Sequence, residues 1–195
     1  MIEEIKISKK SGREPFVNNN HDKNVTIKDF WSWAHSDLIG NAERGKLAEY
    51  IVALSLDVTE GTRTEWDSFD ILSNDGIKIE VKSSGYIQSW YQNGYSDIKF
   101  GIQPTQAWDM KNNTYDSIKK RQADIYVFCI HKEKNPEILN PLDLFQWEFY
   151  VLNTKILNDK VPLQKSIKLS RLKELGAILC DFKNLNTVIH SKYNS

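Results

Sequence analysis

The chain has 195 residues, 40% of them hydrophobic and 27% charged, with 26 basic and 26 acidic side chains and a formal net charge of zero. That length suits one domain with a substantial core, and the composition is that of a soluble globular protein. It excludes a protein that coats nucleic acid through a global positive field; any nucleic-acid contact must come from local patches. Met1 to Lys10 has no apolar signal core and no stretch reaches the length of a membrane span, so a cytoplasmic protein without a membrane partner is expected. Cys129 and Cys180 lie far apart in apolar runs and read as buried reduced thiols.

Residues 1–24 read as a flexible basic N-terminal arm, polar from Ser8 to Lys23, with Lys6, Lys9, Lys10 and Arg13 supplying charge. Such an arm serves either as a solvated tail or as an embrace for DNA. Residues 25–195 read as a single domain. Thr26-Ile27-Lys28-Asp29 opens a helix with a capping-box pattern, and Phe30, Trp33, Ala34 and Leu38 give it an apolar face. Gly40 ends it, and Asn41 is expected to cap a second helix from Ala42 to Leu56 with Leu47, Ile51 and Leu54 on one stripe. Glu49 sits beside Ala48 and Ala53, small residues that let a helix approach a sheet closely. By residue type alone it is either a solvated edge-of-face acid or an acid carried to the sheet.

The most informative stretch is F-D-I-L-S-N-D-G-I-K-I-E-V-K-S-S, residues 69–84. Ile77, Ile79 and Val81 alternate with Lys78, Glu80 and Lys82, which predicts a strand with one apolar and one charged face. A two-residue loop at Asp75-Gly76 would pair Asp70 with Val81, on the wrong face. A three-residue loop with Gly76 left-handed pairs Ser73 with Ile77, Asp70 with Glu80 and Phe69 with Val81. A one-residue slip buries the charges, so the pattern favours the second register. Asp67 has the opposite parity and is expected to point away. Two carboxylates and an ammonium then converge on one face, and two neighbouring carboxylates invite a hard cation such as Mg²⁺ or Mn²⁺.

Glu80-Val81-Lys82 after an aspartate on the preceding strand resembles the motif of the PD-(D/E)xK nuclease superfamily, with Phe69 where that motif has proline. R-G-K-L-A-E-Y, residues 44–50, resembles the first core helix of its members. The resemblance implies an α/β, restriction-endonuclease-like αβββαβ core over about residues 41–131, a mixed central sheet flanked by helices. It also implies Mg (or Mn) held by Asp70, Glu80 and the Val81 carbonyl, with Glu49 assisting through water or helping to hold a second ion, and Lys82 orienting the attacking water or stabilising the charge that develops on the phosphorane. The implied activity is hydrolysis of phosphodiester bonds in DNA, in restriction or another defence role, with a homodimer for cutting both strands. Glu4-Ile5-Lys6 is a second E-x-K with no aspartate or hairpin before it, so context and not the tripeptide carries the reading.

Ser83 and Ser84 lead into Tyr86 to Tyr95, rich in amides and aromatics. Here Gln88, Tyr91 and Gln92 are candidates for contacting phosphates or bases; the other reading is an ordered loop packed on the core. Lys99 to Gln103 reads as a short strand, with Gln103 not counted in the site. Thr114 to Gln122 predicts a helix whose last residues, Lys119, Lys120 and Arg121, either complement the helix C-terminus or touch phosphates. Asp124 to His131 is a near-continuous apolar run, as in a strand buried on both faces. Residues 132–195 read as a strand/helix C-terminal extension without catalytic signature. His21, His35, His131 and His190 are isolated, and no P-loop, G-x-S-x-G or zinc spacing is present. Two rivals share the fold: a non-catalytic nucleic-acid-binding or assembly module, and an RNA-processing nuclease.

Overall fold

The computed structural model describes the chain apart from residues 1–4, 6, 20, 65, 66 and 110–113. Glu4 and Lys6 of the N-terminal E-x-K therefore lie outside the described residues. Its first half comprises β1 (Pro15–Asn18), β2 (His21–Thr26), α1 (Ile27–Ala34), α2 (Asn41–Ser55), β3 (Ile71–Leu72), β4 (Lys78–Gly85), β5 (Lys99–Gly101), β6 (Trp108–Asp109) and β7 (Thr114–Tyr115). The second half comprises β8 (Ile125–His131), β9 (Trp147–Asn153), α3 (Thr154–Lys160), β10 (Ser166–Lys168), α4 (Leu169–Glu174), β11 (Ile178–Cys180) and α5 (Phe182–Tyr193).

Alternation along β4 and the apolar run of β8 organise everything else. They pair in parallel at the centre of a five-stranded sheet of order β11-β9-β8-β4-β3, in which the other neighbours are antiparallel. Every residue of β8 is buried, as its continuous apolar run predicts. The period of two then sorts side chains into two cores. On one face Ile77, Ile79, Val81, Val127 and Phe149 pack under Ala48, Ile51 and Val52 of α2 and Leu185 and Ile189 of α5. On the other, Phe128, Ile130 and Leu152 meet Phe100, Ile102, Leu157, Ile167 and Leu172. Each buried valine, leucine, isoleucine or phenylalanine among them contributes about 1.5–3 kcal/mol of transfer free energy. The mixed central sheet flanked by helices expected from the sequence is present, and β11 of the extension completes one edge.

Several elements differ from expectation. β5 pairs antiparallel with β10 in a separate two-stranded ribbon and not with the central sheet. Residues 114–122 are not helical: β7 pairs with β6, and Thr105 bridges Lys120. The stretch has only Tyr115 and Ile118 as apolar anchors, both exposed, so a helix there would have nothing to pack on. The Asp116 carboxylate instead accepts the Ile118 N–H at 3.2 Å, a local turn that competes with helix. The arm expected over 1–24 forms the β1–β2 hairpin from Pro15 on. α1 starts at the capping box, with the Thr26 N–H donating to the Asp29 carboxylate at 2.7 Å, yet buries none of its residues. The N-cap of α2 is Gly40; Asn41 is the first helical residue.

Candidate active site

The hairpin that carries the site closes as the sequence dictates. Gly76 has φ +89°, its N–H donates to the Ser73 carbonyl at 3.0 Å, and the Ser73 N–H donates to the Ile77 carbonyl at 3.0 Å. Ile71 lies opposite Ile79 and the Asp70 N–H donates to the Ile79 carbonyl at 3.0 Å, so Asp70 stands beside Glu80. Because β3 begins only at Ile71, the Val81 N–H lacks a strand partner on that side; the Asp70 carboxylate takes its place, accepting that N–H at 2.7 Å. Phe69 does not lie against Val81, as strict pairing predicted. The chain bends before Asp70, and Phe69 joins the opposite core with the Lys78 ammonium 5.6 Å from its ring centroid.

Glu80 and Lys82 share the face opposite α2, and the Lys82 Nζ lies 2.5 Å from the Glu80 Oε1. Register places Tyr126 of β8 directly beside Glu80. Together with Asp67 and Asp70 these side chains floor an open cleft of about 440 Å³. Burial, and then the Glu80 carboxylate, push the Asp70 carboxyl up to about 6; the Val81 N–H and the Lys82 ammonium pull the other way. Burial, and then Glu80, raise the Tyr126 phenol well above its ordinary value, so it remains a protonated donor.

Glu49 is placed differently from its sequence-based role. Its carboxylate is held on both oxygens by Arg63, with Nε at 2.5 Å and Nη2 at 3.1 Å. It still contributes to raising Asp70, so it stands close to the site as an outer charge. Among the described residues no three His, Cys, Asp or Glu side chains form a group that could hold a metal. Two carboxylates remain, each with one oxygen engaged by the protein and one open. That donor set fits Mg²⁺ or Mn²⁺, which bind through one or two carboxylates and keep several waters.

The remaining candidates divide sharply. Tyr91 is 92% exposed, Lys119 and Lys120 are exposed, and Lys120 pairs with Asp116 at 3.7 Å. Ser83 is half-buried and Ser84 buried within β4. Gln88 and Gln92 are not open readers of bases. The Gln88 N–H donates to the Gln92 amide oxygen at 2.6 Å, and both amides donate to the Ser96 hydroxyl, so they staple the 86–96 loop. The buried Arg44 donates to the Gln88 amide oxygen at 3.0 Å and to the Ile39 carbonyl at 2.8 Å, tying that loop to α2.

Arg121 is a clear correction: it is buried, and its guanidinium donates to the Ile102 carbonyl at 2.8 Å, the Asn158 amide oxygen at 2.8 Å and the Val161 carbonyl at 3.0 Å. It holds the ribbon to α3 and presents nothing to phosphate. Arg121→Ala is therefore expected to cost about 3 kcal/mol in urea denaturation, and Arg121→Lys to recover little, because one ammonium cannot serve three divergent acceptors. A loss of DNA affinity without loss of stability would contradict this placement.

Sequence reasoning missed Asp67, Tyr126 and the cleft's far wall. The parity argument that sent Asp67 away assumed an extended strand, whereas residues 67–70 are bent, and Asp67 lines the cleft. Tyr126 carries no local signal, since only the β4–β8 register sets it beside Glu80.

A family model described as bacteriophage T4 endonuclease IV matches residues 3–171. The match spans most of the chain, which belongs to the bacteriophage T4 endonuclease IV family and is thus a member of a nuclease family. Among solved structures the chain is similar to the bacterial homing endonuclease I-Ssp6803I, at 16% identity and a TM-score of 0.34 over 66% of this chain and 76% of that one. At that level of likeness nothing about this chain rests on it. Comparison with curated proteins finds no match. Among the described residues no helix is long and apolar enough to cross a membrane.

Proposed function

We propose that the protein is a divalent-metal-dependent endonuclease that hydrolyses phosphodiester bonds in DNA, built on a site of the PD-(D/E)xK type. The observation that carries this is the convergence of Asp70, Glu80 and Lys82 in one cleft of a chain that belongs to an endonuclease family. Asp70 and Glu80, with the Val81 carbonyl, would hold Mg²⁺ or Mn²⁺. A cation bound there would supply Lewis acidity for the phosphoryl oxygens and for the attacking water. Lys82 places a positive charge where the phosphate oxygens gain charge as water adds and one P–O ester bond breaks. Its pairing with Glu80 aims the ammonium at the cleft before substrate arrives. Tyr126 adds a neutral donor on the floor. Glu49, engaged by Arg63, sets the local field and would reach a cation only through water. Restriction or another defence role is supported by the motif's resemblance alone, and cutting both strands of a duplex would call for two copies of the chain.

The test is cleavage of plasmid DNA by the purified protein with Mg²⁺ or Mn²⁺, with EDTA and Asp70→Asn as controls. Metal-dependent cutting that Asp70→Asn abolishes is the expected result. Cutting that survives the substitution would move the site elsewhere. Binding of DNA without any cutting would favour the non-catalytic module, and preferential cutting of RNA in competition would favour an RNA-processing enzyme.

A further inference from the structure

The cleft has a second wall that the catalytic cluster does not use. It is formed by the segment from β5 to β8, in which the paired strands β6 and β7 bring Trp108 and Tyr115 to the cleft. Trp108 and Tyr115 face each other there with ring centroids 4.7 Å apart and planes at 60°, a tilted pair rather than a closed stack. The Tyr115 ring is 63% exposed although it lines the cleft. Three glutamines, Gln103, Gln106 and Gln122, project into the same space. Gln106 donates to the Asp116 carbonyl at 2.9 Å and Gln122 to the Thr105 carbonyl at 3.3 Å, which fixes their directions and leaves the rest of each amide uncommitted among the described residues. Gln103 makes no hydrogen bond among the described residues.

This composition is unlike the acidic floor. It offers a π-face, and amides that both donate and accept, with no charge among these five side chains. A phosphate, which only accepts hydrogen bonds, would leave the π-face and the amide oxygens unused. A nucleobase asks for a π-face and a mixed donor and acceptor edge together. The volume agrees: about 440 Å³ lies within the range of pockets that hold small-molecule-sized ligands, with room for one nucleoside beside the phosphate on the floor.

We infer that the wall formed by Trp108, Tyr115, Gln103, Gln106 and Gln122 is a nucleobase subsite, which seats one base of the substrate strand next to the phosphate held over Asp70, Glu80 and Lys82. This rests on the nuclease reading for the position of that phosphate. The aromatic pair supplies affinity for the base, and the glutamines read its edge. The seated base leaves the stack with at least one neighbour, so the cut is positioned by a base held in the protein. The 86–96 loop, whose amides are spent on itself, is not the reader.

The experiment is an abasic walk. Single-stranded DNA oligonucleotides, each lacking one base in turn, are titrated against the whole protein in Ca²⁺ and affinity is read by fluorescence anisotropy. The wild type is expected to show one position at which removing the base weakens binding about tenfold, the size of one base–aromatic stack. Trp108→Ala with Tyr115→Ala should erase that penalty, whereas Trp108→Phe should keep most of it. Gln106→Ala with Gln122→Ala, which leaves the hairpin's rings in place, should keep a penalty but flatten the preference for which base occupies the position. A flat walk in the wild type, or a penalty that persists without both rings, overturns the subsite. Cleavage of DNA by the wild type in Mg²⁺ is scored separately. Cutting with a flat walk removes the subsite and leaves the nuclease; a clear walk with no cutting in Mg²⁺ or Mn²⁺ removes the nuclease and leaves a base-binding cleft.

Discussion

Lys82→Met is expected to lower kcat for DNA cleavage about a hundred- to a thousandfold while leaving metal binding in place. The methionine keeps the unbranched stem and removes only the charge that lies 2.5 Å from Glu80 and faces the cleft. Loss of one preorganised electrostatic group typically costs that much, since the group meets charge that develops only in the transition state. Stability should barely change. Both partners are partly exposed, at 32% and 20%, and such pairs contribute little to folding. Glu49→Gln is the matched comparison. Its carboxylate is neutralised by Arg63, so a loss of no more than about tenfold is expected, smaller than for a group facing the transition state. Single-turnover cleavage with isothermal titration of Mn²⁺ measures both effects. A Glu49→Gln protein as inactive as Lys82→Met would show that Glu49 leaves Arg63 and enters the centre in the working enzyme.

The metal-free protein is expected to lose stability as pH rises, through Asp70. Its carboxyl titrates at about 6 in the folded chain against an ordinary value of 3.8. The folded state thus binds the proton more tightly than the unfolded one. The stability this provides is fully present below about 3.8 and is lost as pH rises through about 6. The shift corresponds to about 3 kcal/mol by linkage, at one pKa unit per about 1.4 kcal/mol. Asp70→Asn removes the titration, and its side-chain oxygen can still accept the Val81 N–H. The substituted protein should therefore be more stable than the wild type at pH 8 without metal, by about 2 kcal/mol, and nearly equal to it at pH 4. Mg²⁺ or Mn²⁺ should stabilise the wild type at pH 8, much less at pH 5, and should leave Asp70→Asn unmoved. Thermal unfolding of both proteins at the three pH values, with and without metal, reads every part of this. A wild type that is the more stable of the two at pH 8 without metal would mean that Asp70 is not under charge pressure.

The family match covers residues 3–171 and names no site residue; the proposed roles of Asp70, Glu80 and Lys82 come from the hairpin and from its resemblance to the PD-(D/E)xK motif. In this chain the Asp70 carboxyl stands at a cost, raised by burial and by its neighbour's charge and only partly relieved by the Val81 N–H.

The sequence by itself determined the hairpin and which of its polar side chains meet, because both are local. Period-two alternation over Ile77 to Lys82, with Gly76 free to adopt φ +89°, fixes register within fifteen residues, and register fixes which carboxylates meet. The buried strand β8 was legible from its continuous apolar run, and α2 was legible as a helix, but its expected stripe was only partly right: Ile51 is buried, whereas Leu54 is exposed and Arg44, Ala48 and Val52 complete the buried face. What the tertiary structure alone decided is everything that depends on a distant partner. Arg121 looks like a phosphate ligand until three acceptors from residues 102, 158 and 161 enclose it. Glu49 looks free until Arg63 arrives from the following loop. Residues 114–122 have enough charge for a helix and too little apolar face to anchor one, so the neighbouring chain recruits them into a hairpin. Tyr126 reaches the face of Glu80 and Lys82 only because β8 runs parallel to β4 in one particular register. Local periodicity can state which side of a strand is polar; it holds no information about which strand will lie alongside, and that choice is made by the packing of the whole sheet.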